Sequence, residues 1–216
     1  MNNTKNEEIK NVNESEGVVE EEITIPESVN LEMPFQPQAP HGNWDQPYQD
    51  GCEEASLILA VASLNGETAM TPEEMDADIK GMVEWQNKMW GGHYDLNIRE
   101  TGDMLVGYYN EKYTAELLYD WTWDDIKEAL AQGYPVVLPL AGQQIGNPYY
   151  TSPGPVYHML VIKGYDANGV ITNDVGTKRG EDYRYTYDTL YSSTHDWDER
   201  DINLGRRAAI VVKYNQ

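Results

Sequence analysis

The chain of 216 residues contains a single cysteine, Cys52. That excludes an intramolecular disulfide framework and any multi-cysteine metal site, and it leaves Cys52 as either a buried spectator or a reactive thiol. Basic residues are scarce as well: 15 Lys and Arg against 37 Asp and Glu give a formal charge of -22. Nucleic-acid binding draws its affinity from cations that neutralise phosphates, so a nucleic-acid partner is excluded. Long apolar runs are also lacking. Stretches such as PVVLPLA and AAIVVKY are strand-sized and fall short of the ~18 to 20 residues that cross a bilayer, so no membrane span is expected. The start, MNNTKNEEIKNVNESE, has neither the basic region nor the apolar stretch of a secretory signal, which makes a cytoplasmic protein the default expectation.

What is present divides into two unequal parts. Residues 1–30 are rich in Asn, Glu and Lys, with Glu20, Glu21 and Glu22 adjacent, and are expected to form an acidic disordered tail. The short VVEEEITI stretch within it reads as part of a solvated tether rather than an edge strand. Residues 31–216 are expected to form one domain, because the length suffices for one substantial core but not for two enzyme domains.

The segment PFQPQAPHGNWDQPYQDG carries closely spaced prolines, which block helix and favour an irregular approach. Cys52 then opens the apolar run EEASLILAVASLNG, which suits a buried helix ended by Gly66. Thr71, Pro72 and Glu74 form a capping box at the start of a second helix. Residues 97–109 and 122–132 repeat the helical spacing, the latter behind Thr122 and Asp125. After Gly133 the pattern changes to PVVLPLA, HMLVIKGY, VITNDV and RRAAIVVKY, all strand-length and β-branched, with residues 166–169 as a turn. Helices first and strands afterwards predict an α+β fold, an N-terminal helical half packed on a C-terminal antiparallel sheet, with a cleft where the layers meet.

Cys52 falls at a helix N-terminus, where unpaired N–H groups and the helix dipole favour a thiolate. His158 begins an apolar strand that would hold an imidazole rigidly enough to take the thiol proton. Asp174 follows the turn and the next strand, so antiparallel pairing would bring it beside His158 to orient the ring. Asn173 is its rival, because successive strand residues point to opposite faces and only one can face His158; Asp174 is preferred. Gln46, six residues before Cys52, could offer an amide to a developing oxyanion next to the Cys52 backbone N–H.

The order Gln, five residues, Cys at a helix start, then a late His on a strand and a carboxylate or amide beyond it resembles the papain-like cysteine peptidases. Within them, QPYQDGCEEAS followed by HMLVIKGYDANGVITNDVG looks most like stand-alone relatives of the bacteriocin-leader-processing, or double-glycine, peptidases. The resemblance runs from Leu31 to the C-terminus. It implies a papain-like fold and catalytic roles for four residues: Gln46 at the oxyanion hole, Cys52 as nucleophile, His158 as general base and Asp174 as the carboxylate that orients His158. It implies no cofactor and a peptide or protein substrate. Gln49 competes with Gln46, but the family spacing favours Gln46.

Two features depart from that pattern. Many relatives have Gly and Pro after the cysteine, whereas this chain has Glu53 and Glu54, whose charge tends to raise the thiol pKa. Transporter-linked members carry membrane spans that this sequence lacks, so the implied substrate class is peptide in general rather than a double-glycine leader. Two further readings keep the fold: a non-catalytic peptide-binding module and a transglutaminase-like acyltransferase. Acid/base glycoside hydrolysis ranks last, since no carboxylate pair at productive separation is identified.

His41, His93 and His195 sit among loop-forming residues without paired zinc-ligand spacing and read as solvated, and the DANG segment reads as a hairpin turn rather than a calcium loop. No metal is expected. Trp44, beside Gln46, is a candidate wall of the cleft.

Overall fold

The computed structural model of the chain describes residues 24–215. Helix α1 (Cys52–Leu64) is buried from Cys52 to Ala62, which matches a helix apolar on all sides and therefore interior. It ends in Asn65 followed by Gly66, whose positive φ of 74° permits the turn out of the helix. Helix α2 (Pro72–Trp90) starts in a capping box of Thr71 and Glu74 with Pro72 in the first turn. Asn97 with Glu100 caps α3 (Ile98–Tyr108), and Thr122 with Asp125 caps α4 (Trp123–Ala131), by the same reciprocal hydrogen bonds. Each such cap is worth ~1 kcal/mol. At Gly107 a Cβ would collide with the Trp85 ring, so this glycine lets α3 lie close against α2.

A seven-stranded antiparallel sheet stands behind the helices. Its strands are β1 (Val29–Asn30), β2 (Tyr113–Tyr119), β3 (Val136–Ala141), β4 (Tyr157–Asp166), β5 (Gly169–Asn173), β6 (Tyr183–Tyr185) and β7 (Ala208–Tyr214). They are ordered β2-β7-β3-β4-β5-β6, with β1 on the end of β4 beyond the reach of β3. Met159 and Val161 of β4 pack into the core with α1, α2 and α3, while Leu160 and Ile162 pack on the opposite face with α4 and with Leu190 of α5 (Tyr187–Ser193). Burial on both faces explains why β3, β4 and β5 read as unbroken apolar runs rather than alternating ones.

The α+β fold is the expected one, with three additions. Helix α4 from the N-terminal half and α5, a helix set among the C-terminal strands, cover the second face of the sheet, so the layers are not divided simply by half. Strand β2, YTAELLY, lies between two helices where no strand was expected: its Ala, Glu and Leu are helix formers, and full pairing with β7 from Tyr113↔Tyr214 to Tyr119↔Ala208 overrides that preference. The expected tail lies outside the described residues up to position 23, but from Ile25 the chain packs against the fold. Val29 pairs with Tyr165, and the Tyr165 hydroxyl donates to Pro26 O at 2.8 Å, so the ordered chain begins before residue 31.

Candidate active site

Cys52 is the first residue of α1 and is 4 % exposed. Its thiol is hydrogen-bonded to Glu53 Oε2 at 3.0 Å, not to His158. Burial pushes the thiol well above its ordinary pKa, and the charge and hydrogen bond of Glu53, then the charge of Asp95, add to that; the Met159 backbone acts in the opposite direction. Of the two acidic neighbours named from sequence, Glu53 contributes to this rise, behind desolvation, and Asp95 rather than Glu54 is the second acid that adds to it.

His158 lies on β4, opposite Leu140 of β3, and is buried. Its Nε2 is 2.9 Å from Asp174 Oδ1. That contact engages Nε2 and leaves Nδ1 as the ring nitrogen for another partner. Asp174 follows β5 directly and is fully buried. Besides His158, it accepts hydrogen bonds from the Tyr185 hydroxyl at 2.6 Å, the Tyr150 hydroxyl at 2.8 Å, Asn147 Nδ2 at 2.9 Å and the Gly176 N–H at 3.0 Å. Burial works to raise the carboxyl, but the charge and hydrogen bond of His158, together with those tyrosines, hold it below the usual range. Asn173 turns elsewhere: its amide donates to Pro34 O at 3.0 Å and its carbonyl accepts from Asp182 N at 3.1 Å.

Tyr150, Asn147 and Tyr185 were not identified from sequence. Tyr150 and Asn147 sit in the loop between β3 and β4, and no local pattern ties either to a carboxylate on the far side of the His158 strand.

Glu53 and Glu54 are both buried. Glu53 Oε1 accepts the Leu96 N–H at 2.9 Å, which anchors the loop before α3 to the start of α1. Glu54 Oε1 accepts from the Gln86 amide and lies 3.3 Å from His93 Nε2, an ion-pair distance without hydrogen-bond alignment. Burial opposes protonation of His93, yet Glu54 outweighs it and raises its pKa. This corrects the reading of His93 as a solvated loop residue: the buried carboxylate of Glu54, not visible as a partner in sequence, draws it inward. Asp95, on the same loop, is pushed up to about 6 by burial and by Asp50. Beside it a cavity of about 410 Å³ is lined by Tyr94, Asp95, Trp197 and Asp198 among others. Among the described residues no group of three or more His, Cys, Asp or Glu is arranged to hold a metal ion, and no helix is long and apolar enough to cross a membrane.

Gln46 is exposed, and its amide is donated to Asp50 rather than directed at Cys52. Gln49 is exposed too, and Trp44 is 44 % exposed. The buried glutamine of this region is Gln38, whose Nε2 donates to Tyr48 O at 2.9 Å and Gln49 O at 3.2 Å and so braces the loop that leads into Cys52. The structure therefore joins His158 to Asp174, seats Cys52 at the head of the helix packed on the His158 strand, and leaves the Gln46 side chain outside that group.

Residues 30–201 match the model of the Peptidase_C39 like family. No curated protein matches the sequence. Among solved structures, a candidate C39-like peptidase from Bacillus anthracis superposes with a TM-score of 0.57 at 17 % identity, covering 88 % of this chain and 100 % of its own, a likeness of fold. Xylellain, a cysteine protease from Xylella fastidiosa, aligns over 89 % of this chain and 88 % of its own at 16 % identity with a TM-score of 0.45.

Proposed function

The chain belongs to the Peptidase_C39 like family, and from that premise we propose that it hydrolyses a peptide or related amide bond through a thioester on Cys52. The observation that carries this reading is the His158–Asp174 hydrogen bond, which presents the second ring nitrogen of a buried, oriented imidazole on the strand against which the Cys52 helix packs. In the proposed cycle His158 takes the thiol proton, the thiolate attacks the carbonyl carbon, and the imidazolium returns the proton to the leaving amine. Water, deprotonated by the same imidazole, then attacks the thioester carbonyl, and the imidazolium returns that proton to the departing Cys52 sulfur. Asp174 holds the ring and stabilises its charged form. The Cys52 backbone N–H and the Gln46 amide are the proposed oxyanion donors, and Gln46 must leave Asp50 to take that part.

One observation favours a second reading, a peptide-binding module on the same fold: the thiol is buried and bonded to a carboxyl group. The two readings are separated by the rate of Cys52 alkylation against pH in the wild type and in His158→Ala, followed by turnover of a peptide library. Hydrolysis predicts a thiol reactive below its ordinary titration and dependent on His158; an inert thiol that ignores His158 would leave the binding module. Adding a primary amine and analysing the products separates hydrolysis from acyl transfer.

A further inference from the structure

Glu53 is a buried acid in direct contact with the Cys52 sulfur, and its two oxygens have different partners. Oε1 accepts the Leu96 N–H at 2.9 Å, whereas Oε2 faces Sγ at 3.0 Å. The described ion pairs of this region join His93 to Glu54 and His158 to Asp174, leaving Glu53 without a cation. The groups that face it are Cys52 and Glu54 on α1, Asp95 on the loop before α3 and Tyr157 on β4, all of them acids. A carboxylate in that position would have one amide and one thiol to solvate it, beside two further carboxyl groups, so the neutral acid is the favoured form. Burial, then the charges of Glu54 and Asp95, raise its carboxyl well above the usual range accordingly. Oε1 accepts the Leu96 N–H, the part that suits the carbonyl oxygen of a neutral acid, which leaves Oε2, facing the sulfur, as the oxygen to carry the proton.

We propose that Glu53 is a further catalytic residue, a neutral acid whose Oε2–H is donated to the Cys52 sulfur and stabilises the thiolate formed when His158 takes the thiol proton. The proposal rests on the Cys52–His158 reading above. In the step itself the S–H bond breaks, an N–H bond forms on His158, and Glu53 keeps its own proton throughout. The sulfur then accepts a hydrogen bond from a donor with no other partner to serve, in a site from which water is excluded. Once the acyl group is attached the sulfur is neutral and that bond weakens, so the stabilisation acts on the ionised nucleophile. When Glu53 ionises at higher pH its role reverses: the carboxylate accepts the S–H and opposes the thiolate.

The test combines infrared spectroscopy with alkylation kinetics. At neutral pH the folded wild type is expected to show the carbonyl stretch of a protonated buried carboxyl group, and Cys52→Ser is expected to shift that stretch because the acceptor of the O–H changes. Wild-type alkylation should rise with pH, pass through a maximum and decline as Glu53 ionises. Glu53→Gln, neutral at every pH and still offering an N–H, should rise to a plateau at the wild-type maximal rate without the later decline, whereas Glu53→Leu should lose about tenfold to a hundredfold in rate. Two results would overturn the proposal: a stretch unchanged in Cys52→Ser, or a Glu53→Gln profile identical to wild type or faster at neutral pH. His158→Ala keeps the two readings apart. If alkylation ignores His158, the Cys–His reading fails; if it depends on His158 while the Glu53 results fail, only the role of Glu53 is lost.

Discussion

The Nε2 of His158 lies 2.9 Å from Oδ1 of Asp174, and both side chains are buried. Asp174 also collects the hydroxyls of Tyr150 and Tyr185 and the amide of Asn147, so it has two separable duties, orienting the ring and satisfying buried donors. Asp174→Asn keeps the shape and removes the charge; it is expected to lower kcat/KM by about 10²- to 10⁴-fold. Asp174→Ala leaves the donors without an acceptor and is expected to cost ~3 to 5 kcal/mol of stability as well. Peptide turnover and thermal unfolding of the two variants separate the duties.

Stability should be greatest at mildly acidic pH. Asp95 and Asp196 are each held at about 6 in the fold, mainly by burial, so between the unfolded value and about 6 the native state binds more protons than the unfolded one. Stability therefore falls as pH rises through that window. His93, raised by Glu54, acts in the same sense, since its stabilisation is present below the unfolded value and is lost as pH passes its folded one. Asp174 acts oppositely, but only at lower pH, because its depressed carboxyl supplies stability that disappears as pH falls through its folded value. Melting temperature against pH should decline through about pH 6, and Asp95→Asn should flatten that decline. An unchanged slope in the variant would show that Asp95 ionises freely in the fold.

The main elements could be read from the sequence because they obey local rules. The caps at Thr71 and Thr122 are short-range hydrogen bonds between residues three apart, and the apolar strands announce their burial by composition. The pairing of β4 with β5 through a tight turn let Asp174 be chosen as a neighbour of His158. Strand β2 was not legible because its pairing with β7 joins segments far apart in the chain, and no feature of YTAELLY records that partner. The burial of Glu53, Glu54 and His93 was hidden for the same reason: Leu96 and Gln86, which accommodate the two carboxyl groups, are distant in sequence. Gln46 has the family spacing, but spacing does not fix a rotamer, and Asp50 holds its amide.

Gln46 should matter to turnover and hardly to folding. Its side chain is exposed and its contact with Asp50 lies at the surface, so Gln46→Ala is expected to change stability by about 0.5 kcal/mol or less. If the amide reaches the oxyanion, the same variant lowers kcat by about 10²- to 10³-fold with little change in KM. Asp50→Asn weakens the competing contact and should raise kcat or leave it unchanged. Full activity in Gln46→Ala would assign the second oxyanion donor to another group.

Gly176 lies close against the His158 ring and holds its partner Asp174. Its N–H holds Asp174 Oδ1 at 3.0 Å, and a Cβ on it would lie 2.9 Å from His158 Cε1 and 3.0 Å from the Tyr150 ring. Neither ring can retreat freely, since both are tied to Asp174 through Nε2 and the Tyr150 hydroxyl. Gly176→Ala is therefore expected to cost ~1 to 3 kcal/mol by overpacking. Because the added methyl presses on Cε1, which lies between the two ring nitrogens, it should turn Nδ1 off the approach to the thiol that the proposed cycle requires and lower kcat by about tenfold to a hundredfold. KM should change little, since the substrate's own contacts are untouched. Thermal unfolding and steady-state kinetics on one preparation check both effects. A fall in melting temperature with unchanged kcat would mean that Tyr150 moves instead, and that the aim of His158 is fixed by Asp174 alone.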